Sequence, residues 1–418
     1  MPRPIAIDLF AGAGGFSLGL EQAGFNVVAA AEHDPIHAAI HELNFPHTAV
    51  LCHDVRQLSG SQIRSAADLR DRTIDLVAGG PPCQGFSLIG NRVLEDPRNE
   101  LIHHFFRIVS ELRPRAFIME NVPGIVTGEH KDLLDTVVEE FERIKYNVRT
   151  PYRVLRASNY GVPQERNRLF LIGALEGETC PEYPEQTTQI DSPMDWLETG
   201  TTLCPTVADA IGDLPDIDRW DRLFKSDTLE IDLPIGSPYA MMLREKSYAY
   251  AYPRSGSGLT GCGRTQHNEE TRVRFTATLP GATEPISRFF RLANDGLCNT
   301  LRAGTASDHG AFTAPRPIHP IYPRCISVRE GARLHSYPDW FRFHKTIAHG
   351  FRQIGNSVPP LLGYAVGSAI AKALHVDLER PEIQHELGLD DLAEFTMQGA
   401  ERYFGLSHHA VAPRRRGV

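Results

Sequence analysis

Ile5-Ala-Ile-Asp-Leu-Phe10 runs directly into Ala11-Gly-Ala-Gly-Gly15, so an apolar stretch with β-branched residues is followed at once by a glycine-rich turn. The apolar stretch predicts a buried strand. The glycines predict a tight connection to a helix, where the backbone can approach a ligand closely and the helix amino terminus offers free N–H donors. The segment therefore predicts a strand, turn and helix with a ligand-binding edge.

The same rhythm continues over the first 175 residues. Longer segments such as Leu101–Leu112 and Leu133–Ile144 carry apolar residues at helical spacing, and between the helical segments lie short apolar runs at Val27–Ala31, Ala49–Leu51, Ile74–Ala78 and Ala116–Met119. This alternation is typical of βαβ units in a parallel sheet. We predict the α/β class, with a doubly wound, mostly parallel sheet.

The periodicity weakens after residue 175, where glycine, proline and turn dipeptides multiply, and we predict a second, smaller and irregular domain over residues 176–351. Residues 352–376 contain an apolar stretch with small residues, Pro359–Leu374, which predicts a helix that returns to pack closely on the first domain, residues 1–175. Residues 377–418 are predicted to form an appendage, with an amphipathic helical part up to residue 405 and a disordered basic tail at Arg414-Arg-Arg416.

The composition is that of a soluble globular protein: 418 residues, of which 41% are hydrophobic and 23% charged. No secretion signal opens the chain and no apolar run approaches the roughly 20 residues of a membrane span, which predicts a cytoplasmic protein without a membrane partner. The seven cysteines, an odd number without repeated spacing, indicate a reducing compartment and no disulfide framework.

The formal net charge of -9 argues at first against a polyanionic partner, but the charge is unevenly distributed. Residues 176–235 contain 15 acidic and three basic side chains. In contrast, Ala314–Arg352 contains seven basic and two acidic side chains. We expect the acidic segment to face away from a nucleic acid and the basic stretch to lie on a phosphate backbone.

Polar residues follow the predicted strands at the edge where parallel sheets bind ligands. They are Asp8, Glu32, Asp54, Cys83 and Glu120. One crevice is expected to collect them.

Cys83 lies in Gly79-Gly-Pro-Pro-Cys-Gln-Gly-Phe-Ser87, a stiff loop that follows an apolar run. A free cysteine is usually a small buried hydrophobe with an inert sulfur. Here a carboxyl, Glu120, and two guanidiniums, Arg166 and Arg168, adjoin other predicted strands in the same way. In isolation the two arginines would indicate a surface salt-bridge strand. Together the four residues predict a reactive thiol with a catalytic environment.

The glycine turn does not meet the dinucleotide pattern G-x-G-x-x-G, because Ser17 occupies the third glycine position. Glu32 nevertheless stands at the distance expected for a residue that holds a ribose diol, and Asp54 is placed to accept a hydrogen bond from an adenine amino group. The pattern supports binding of a nucleoside and does not support binding of a pyrophosphate. The alternative is that Glu32 and Asp54 cap the helices that follow them.

The chain resembles the DNA (cytosine-5) methyltransferases, over most of its length and in that family's motif order. The motifs are Asp8-Leu-Phe-Ala-Gly-Ala-Gly-Gly-Phe16, Glu32, Asp54, Pro81-Pro-Cys83, Glu120-Asn-Val122, Gln164 with Arg166 and Arg168, Arg329-Glu330 and Gly355-Asn-Ser-Val358. The resemblance implies the S-adenosylmethionine-dependent methyltransferase fold, a catalytic and cofactor-binding first domain and a target-recognition second domain. It implies S-adenosylmethionine as cofactor, S-adenosylhomocysteine as product and no metal, with a cofactor site of Phe10, Gly12, Gly14, Gly15, Glu32, Asp54, Pro82, Leu101 and Asn356.

The resemblance also implies the catalytic roles. Cys83 would add to C6 of a cytosine that has swung out of the duplex, Glu120 would hydrogen-bond N3, and Arg168 would hold the base carbonyl. Arg166 would contact either the DNA backbone or the surroundings of Glu120. The residues expected to contact DNA are Gln84, Ser87, Arg302 and Thr305.

The favoured hypothesis is a bacterial enzyme of the restriction-modification type that methylates C5 of a cytosine in a short sequence of double-stranded DNA. Such an enzyme would lie on the nucleoid through its DNA and would have a cognate restriction endonuclease as its genetic partner. Three alternatives stay open at this point. They are a tRNA methyltransferase of the same family, a DNA-binding homologue without turnover, and a nicotinamide oxidoreductase suggested only by the glycine turn and Glu32.

Overall fold

The computed structural model describes residues 3–82, 100–126, 130–190, 201–245, 251–252, 258–304, 316–376 and 385–406. Its strands are β1 (Ile5–Leu9), β2 (Asn26–Glu32), β3 (Ala49–Cys52), β4 (Leu76–Gly79), β5 (Ala116–Asn121), β6 (Tyr146–Val148), β7 (Arg153–Arg156), β8 (Gln164–Glu165), β9 (Asn167–Leu175), β10 (Thr188–Gln189), β11 (Thr202–Leu203), β12 (Ala251–Tyr252), β13 (Cys298–Asn299) and β14 (His385–Glu386). Its α-helices are α1 (Gly15–Gln22), α2 (Pro35–Asn44), α3 (Gly60–Ala66), α4 (Glu100–Leu112), α5 (His130–Arg143), α6 (Val207–Ile211), α7 (Pro238–Arg244), α8 (Glu269–Ala277), α9 (Val328–Leu334), α10 (Ile347–Asn356), α11 (Pro360–Ala373) and α12 (Met397–Tyr403).

The main sheet has the strand order β3-β2-β1-β4-β5-β9, with β6 and β7 both paired to β9. Strands β1 to β5 run parallel, and β9 is antiparallel to β5. The doubly wound, mostly parallel sheet is therefore confirmed. The strand order reverses between β1 and β4, which opens a crevice at the carboxyl ends of these strands.

Helix α11 packs directly on α1 because small residues line both helices. A Cβ atom added at Gly19 of α1 would lie 2.6 Å from the carbonyl oxygen of Pro360, and one added at Gly367 would lie 3.0 Å from Ala23 Cβ. The backbones therefore approach more closely than larger side chains would allow. This contact brings the chain back to the glycine turn after residue 351.

The expectation that the basic stretch Ala314–Arg352 faces DNA is wrong for its most buried arginines. Arg324 and Arg333 are at most 2% exposed; Arg324 pairs with Glu330 at 2.7 Å, and Arg333 pairs with both Asp213 and Asp339 at 2.6 Å. These groups satisfy one another because a buried charge without a partner is costly.

The acidic segment supplies many of the partners for these and nearby arginines. Asp213 also pairs with Arg244, and Asp218 pairs with Arg264 at 3.2 Å and with Arg272 at 3.1 Å. Asp213 and Asp218 of the acidic segment thus neutralise arginines between residues 244 and 333. This pairing gives these two aspartates a structural role.

Replacing Arg333 with alanine is expected to lower the free energy of unfolding by about 3–5 kcal/mol, because the carboxylates of Asp213 and Asp339 would lose a buried partner. Urea unfolding of the full chain measures the loss. The control is Arg143→Ala, which breaks an exposed pair with Glu139 on α5 and should cost within about 1 kcal/mol. Equal losses from the two variants would contradict the assignment.

The segment after α11 differs from its prediction. Among its described residues only Met397–Tyr403 is α-helical, and Asp390–Glu394 forms a 3-10 turn. The segment is held against the rest of the chain by backbone hydrogen bonds, from Gly388 N to Leu43 O at 2.8 Å and from Lys345 N to Ala393 O at 2.9 Å. The expected amphipathic helix is therefore wrong for residues 385–396, and the basic tail lies outside the described residues.

One buried apolar cluster combines residues from both predicted domains, such as Leu43 and Phe45 with Val328 and Phe341. The division at residues 175, 351 and 376 stays a prediction. Within the described ranges, no helix is both long and apolar enough to cross a membrane.

Candidate active site

Several described residues of the predicted site lie at the carboxyl edge of the sheet, but Asp8, which was expected in the same crevice, is buried at 1% exposure and accepts a hydrogen bond from the Ser17 hydroxyl at 2.6 Å. Phe10 and Gly12 follow β1, Glu32 ends β2, Asp54 follows β3, and Glu120 lies near the end of β5. Leu101 lies in the first turn of α4, and Asn356 ends α10. Four of the predicted site residues lie outside the described residues, namely Cys83, Gln84, Ser87 and Thr305.

Glu32 binds the glycine turn. Its Oε2 accepts a hydrogen bond from Gly12 N and its Oε1 accepts one from Asp34 N, both at 2.8 Å. Helix α2 is capped by Asp34, whose Oδ1 accepts from Ile36 N at 2.9 Å. The capping alternative is therefore wrong for Glu32, whose partly exposed carboxylate joins the two loops at the mouth of the crevice.

Asp54 does act as a cap. Its side chain accepts from Arg56 N at 2.9 Å at the start of a 3-10 turn, and it forms an ion pair with the Arg56 guanidinium. Burial tends to raise the pKa of Asp54, but the hydrogen bonds from Arg56 outweigh it and the pKa is lowered. Asp54 is therefore ionised and engaged, and its contact with an adenine amino group stays a prediction.

Phe10 has a backbone φ of 60°, in the left-handed region that a bulky residue rarely adopts. Such strain persists only where the surroundings hold it, and it concentrates at functional sites. Phe10 is partly exposed and packs against the cluster below the crevice. An aromatic wall, a glycine turn and an accepting carboxylate fit the adenosine part of S-adenosylmethionine.

Glu120 and Arg168 form the charged centre of the site. Arg168 Nε lies 2.6 Å from Glu120 Oε1, and the two side chains are 13% and 12% exposed. A Cβ atom at Gly80 would lie 2.8 Å from Glu120 Oε2, so glycine at this position leaves room for the carboxylate. Asn121 Nδ2 donates to Pro81 O at 3.2 Å, which fixes Pro81 next to β5, the strand that carries Glu120.

Burial raises the pKa of Glu120, and the positive charges of Arg168 and Arg166 lower it by less. The net shift is upward, so Glu120 keeps its proton to a higher pH than an ordinary glutamate. A carboxyl that holds a proton next to a fixed guanidinium can donate a hydrogen bond to a ring nitrogen of a neighbouring base.

Arg166 is fully buried, which is incompatible with the predicted contact to the DNA backbone. Its guanidinium donates to the carbonyl oxygens of Leu301, Gly355 and Ser357 at 3.0, 2.9 and 2.8 Å. The other expectation, a place near Glu120, is favoured because the charge of Arg166 lowers the pKa of that carboxyl.

Gln164, named above only as part of a motif, and His335, for which no role was expected, are both fully buried beside Arg166. All five residues 164–168 are polar, so no hydrophobic alternation in the sequence marks Gln164 as buried. Gln164 and Arg166 are buried while Glu165 and Asn167 are exposed, so Gln164, Arg166 and Arg168 share one face of the extended segment 164–168.

Arg302 is exposed, and its backbone packs tightly on Gly355, where a Cβ atom would lie 2.4 Å from the carbonyl carbon of Arg302. Asn356 is exposed beside it. Arg302 and Asn356 thus adjoin Leu301 and Gly355, whose carbonyl oxygens accept from Arg166. We refer to Arg166 with Gln164 and His335 as the Arg166 cluster. Among the described residues, no group of three or more His, Cys, Asp or Glu side chains is arranged to hold a metal ion.

Comparison with known proteins gives consistent results. Residues 5–372 match the family model described as "C-5 cytosine-specific DNA methylase". The chain is 52% identical to type II methyltransferase M.XorII of Xanthomonas oryzae pv. oryzae, covering 100% of this chain and 96% of that protein. It is 31% identical to type II methyltransferase M.AgeI of Thalassovita gelatinovora, covering 88% and 99%.

Solved structures show the same likeness. A putative DNA modification methyltransferase encoded within a prophage of E. coli superposes with a TM-score of 0.71 and 33% identity, covering 89% of this chain and 99% of that one. The Dnmt2 methyltransferase of S. pombe superposes with a TM-score of 0.53 at 18% identity, which shows a shared fold alone.

Proposed function

The chain belongs to the C-5 cytosine-specific DNA methylase family and is a DNA (cytosine-5) methyltransferase of the type II restriction-modification kind, and from this premise we propose how it works. It transfers a methyl group from S-adenosylmethionine to C5 of a cytosine that has left the duplex, within one short DNA sequence. The observation that supports this mechanism best is the Glu120–Arg168 pair beside the Pro81 turn.

Cys83 attacks as a thiolate and forms a bond to C6, which pushes electron density onto C5. Bound S-adenosylmethionine supplies the electrophilic methyl group. Glu120 holds a proton at N3 and relieves the negative charge that develops on the base, while Arg168 donates to the base carbonyl. Once C5 has accepted the methyl group, a water molecule takes the C5 proton, and the electron pair of that C–H bond expels the Cys83 thiolate and restores aromaticity.

The predicted cofactor residues are proposed to bind different parts of S-adenosylmethionine. Glu32 binds the ribose diol, Phe10 stacks on the adenine, and Asp54 accepts from the adenine amino group. The glycines of the turn let the backbone approach, and further contacts come from Pro82, Leu101 and Asn356. The hydrogen bonds that Glu32 accepts from Gly12 and Asp34 support its part, because they orient the carboxylate before the nucleoside arrives.

Replacing Glu32 with glutamine is expected to weaken binding of S-adenosylmethionine and S-adenosylhomocysteine roughly tenfold or more, since a hydrogen bond to a charged group contributes about 1.5–3 kcal/mol. Isothermal titration calorimetry on the full chain measures both affinities. The control is Glu111→Gln, which alters another carboxylate that accepts from a glycine N–H, that of Gly60, away from the crevice. Unchanged affinity in Glu32→Gln would contradict the assignment.

DNA contacts are proposed for Gln84, Ser87, Arg302 and Thr305, and the exposure of Arg302 beside the Arg166 cluster supports its part. A cognate restriction endonuclease is the proposed genetic partner, because the relatives carry type II names.

Bisulfite sequencing of DNA from cells that express the chain tests the proposal. The expected result is new 5-methylcytosine confined to one short sequence context. Unmethylated DNA together with methylated tRNA would favour the tRNA alternative. Methylation of neither polymer would favour a DNA-binding homologue without turnover.

A further inference from the structure

Three alternate residues of one extended segment, Gln164, Arg166 and Arg168, point toward the inside of the protein. Arg168 reaches the catalytic carboxyl Glu120, as described above. Gln164 and Arg166 are both 0% exposed and reach a different part of the chain. One short segment therefore connects Arg168, which is proposed to contact the base, with the residues that Gln164 and Arg166 bind.

Gln164 and Arg166 bind both backbone polar groups of Leu301. Leu301 N donates to Gln164 Oε1 at 3.1 Å, and Leu301 O accepts from the Arg166 guanidinium at 3.0 Å. Buried backbone groups are ordinarily satisfied by other backbone. Here Gln164 and Arg166 take that place, so the position of Leu301 depends on the segment that also carries Arg168.

The other end of the Gln164 amide is fixed as well. Its Nε2 donates to Leu334 O at 3.1 Å and to His335 Nδ1 at 2.9 Å. Burial lowers the pKa of His335 well below its usual range, so the ring is neutral, and a ring that accepts at Nδ1 carries its proton on Nε2. His335 Nε2 therefore donates to Ser357 O at 3.2 Å.

The residues around Leu301 are tied to the same strand. β13 pairs in parallel with β8, with Cys298 opposite Gln164 and Asn299 opposite Glu165. The Thr300 hydroxyl donates to Glu165 O. Asn299 and Arg302 are exposed on either side of the buried Leu301. The segment Cys298–Gly304 thus presents polar side chains outward while its inner face is bonded to the catalytic strand.

We propose that Gln164 and Thr300 are positioning residues that keep the segment Cys298–Gly304 in register with the Glu120–Arg168 pair, so that contact with the correct DNA sequence aligns the target base for attack. The inference rests on the proposed DNA methylation. Gln164 acts through Leu301 and Thr300 acts through Glu165, and neither touches the base. Loosening either contact lets the segment Cys298–Gly304 shift relative to Glu120, so the enzyme discriminates less well against incorrect DNA sequences.

The test measures discrimination and not activity alone. Whole-genome-amplified DNA, which carries no methyl groups, is incubated with purified wild type, Gln164→Glu or Thr300→Val. Bisulfite sequencing then measures methylation in every sequence context. Gln164→Glu keeps an oxygen for Leu301 N but cannot donate to Leu334 or His335. The matched control is Thr202→Val, because the Thr202 hydroxyl donates to Thr187 O across another two-residue strand pair, remote in sequence from these contacts.

The quantity compared is the methylation at the preferred sequence divided by that at sequences that differ from it by one base pair. This ratio is expected to fall roughly tenfold or more in Gln164→Glu and Thr300→Val, because small misplacements in an active site are costly. The control keeps the wild-type ratio, and all four proteins bind S-adenosylmethionine alike. A uniform loss of methylation at every sequence, with the ratio unchanged, would show a merely structural role and overturn the proposal.

Thr300 is partly exposed, so its valine variant decides the matter even if Gln164→Glu does not fold. A wild-type ratio in Thr300→Val would then reject the coupling. Absence of DNA methylation by the wild-type protein is a separate outcome, which would remove the proposed function and this inference with it.

Discussion

Replacing Cys83 with serine is expected to reduce methyl transfer by at least about a thousandfold, the scale on which enzymes lose activity when their nucleophile is removed. The thiolate is the attacking form of cysteine, and a serine hydroxyl at neutral pH has no comparable population of anion. Binding of S-adenosylmethionine should remain, since the proposed cofactor contacts of Glu32 and Gly12 require no thiol.

The other cysteines that the structure describes do not compete for this role. Five of the six are buried, and burial raises the pKa of their thiols, to about 12 for Cys204 and Cys262 and to about 11 for Cys325. Cys180 is partly exposed, but burial raises its pKa as well. Cys180→Ser is therefore the matched control and should methylate like wild type.

A duplex that carries 5-fluorocytosine at the target position provides the direct measurement. Fluorine at C5 cannot leave as a proton would, so the enzyme should remain covalently attached to C6 after methyl transfer. Wild type and Cys180→Ser should give a denaturation-resistant adduct, and Cys83→Ser should give none. An adduct formed by Cys83→Ser, or none formed by wild type, would contradict the proposed chemistry.

The sheet was predictable because its central parallel strands β1 and β4 are buried on both faces and the parallel strands read as short apolar runs. Strand β1 is buried at every position, and the predicted Ile5–Phe10 differs from it by one residue. The pairing of β9 with β5 was not predictable in the same way, since antiparallel register depends on contacts between strands and not on the composition of either.

The charges were the least predictable part, because a sequence shows charge but not its partner. The stretch Ala314–Arg352 reads as a surface for phosphate, yet Arg333 is paired with Asp213, 120 residues away. The same holds for Arg166, which carries the charge expected of a DNA contact but uses it on backbone carbonyls from residues 301 to 357. Burial decides between these interpretations, and it follows only from the folded chain.

Glu120 was predictable as a site residue because it follows an apolar strand in a parallel sheet, but its protonation was not. The pKa of Glu120 is raised by its burial and lowered by less by the nearby Arg168, and both effects depend on segments distant in sequence, the loop at Gly80 and strand β9. The link between Gln164 and Leu301 spans 137 residues and has no signal in local periodicity.

Replacing Glu120 with glutamine is expected to lower the rate of methyl transfer by about 10²–10⁴, the range over which a positioned proton donor acts. Glutamine keeps the shape and can donate a weak hydrogen bond to N3, but it cannot hold the proton that neutralises the base during attack by Cys83. It also replaces the carboxylate that pairs with Arg168. Affinity for S-adenosylmethionine should stay near that of wild type.

The pH dependence separates proton donation from mere packing. Because the pKa of Glu120 is raised, its protonated form persists above the ordinary range of a glutamate and is lost as the pH rises through the raised pKa. The single-turnover rate of wild type should therefore fall with rising pH through that range wherever deprotonation of Glu120 outweighs the gain in Cys83 thiolate. The variant should lack this falling limb, since glutamine does not titrate.

The linked effect on stability has the same origin. A carboxyl whose pKa is higher in the folded than in the unfolded state binds its proton more tightly when folded, so it favours the folded state less as the pH rises between the two values. Glu120→Gln should remove that part of the dependence, whereas Glu165→Gln, which alters an exposed carboxylate paired with Arg156, should keep both the stability profile and the falling limb of the rate. If Glu120→Gln retained the wild-type rate profile, the proton at N3 would have to come from another group, and Glu120 would serve only to hold Arg168.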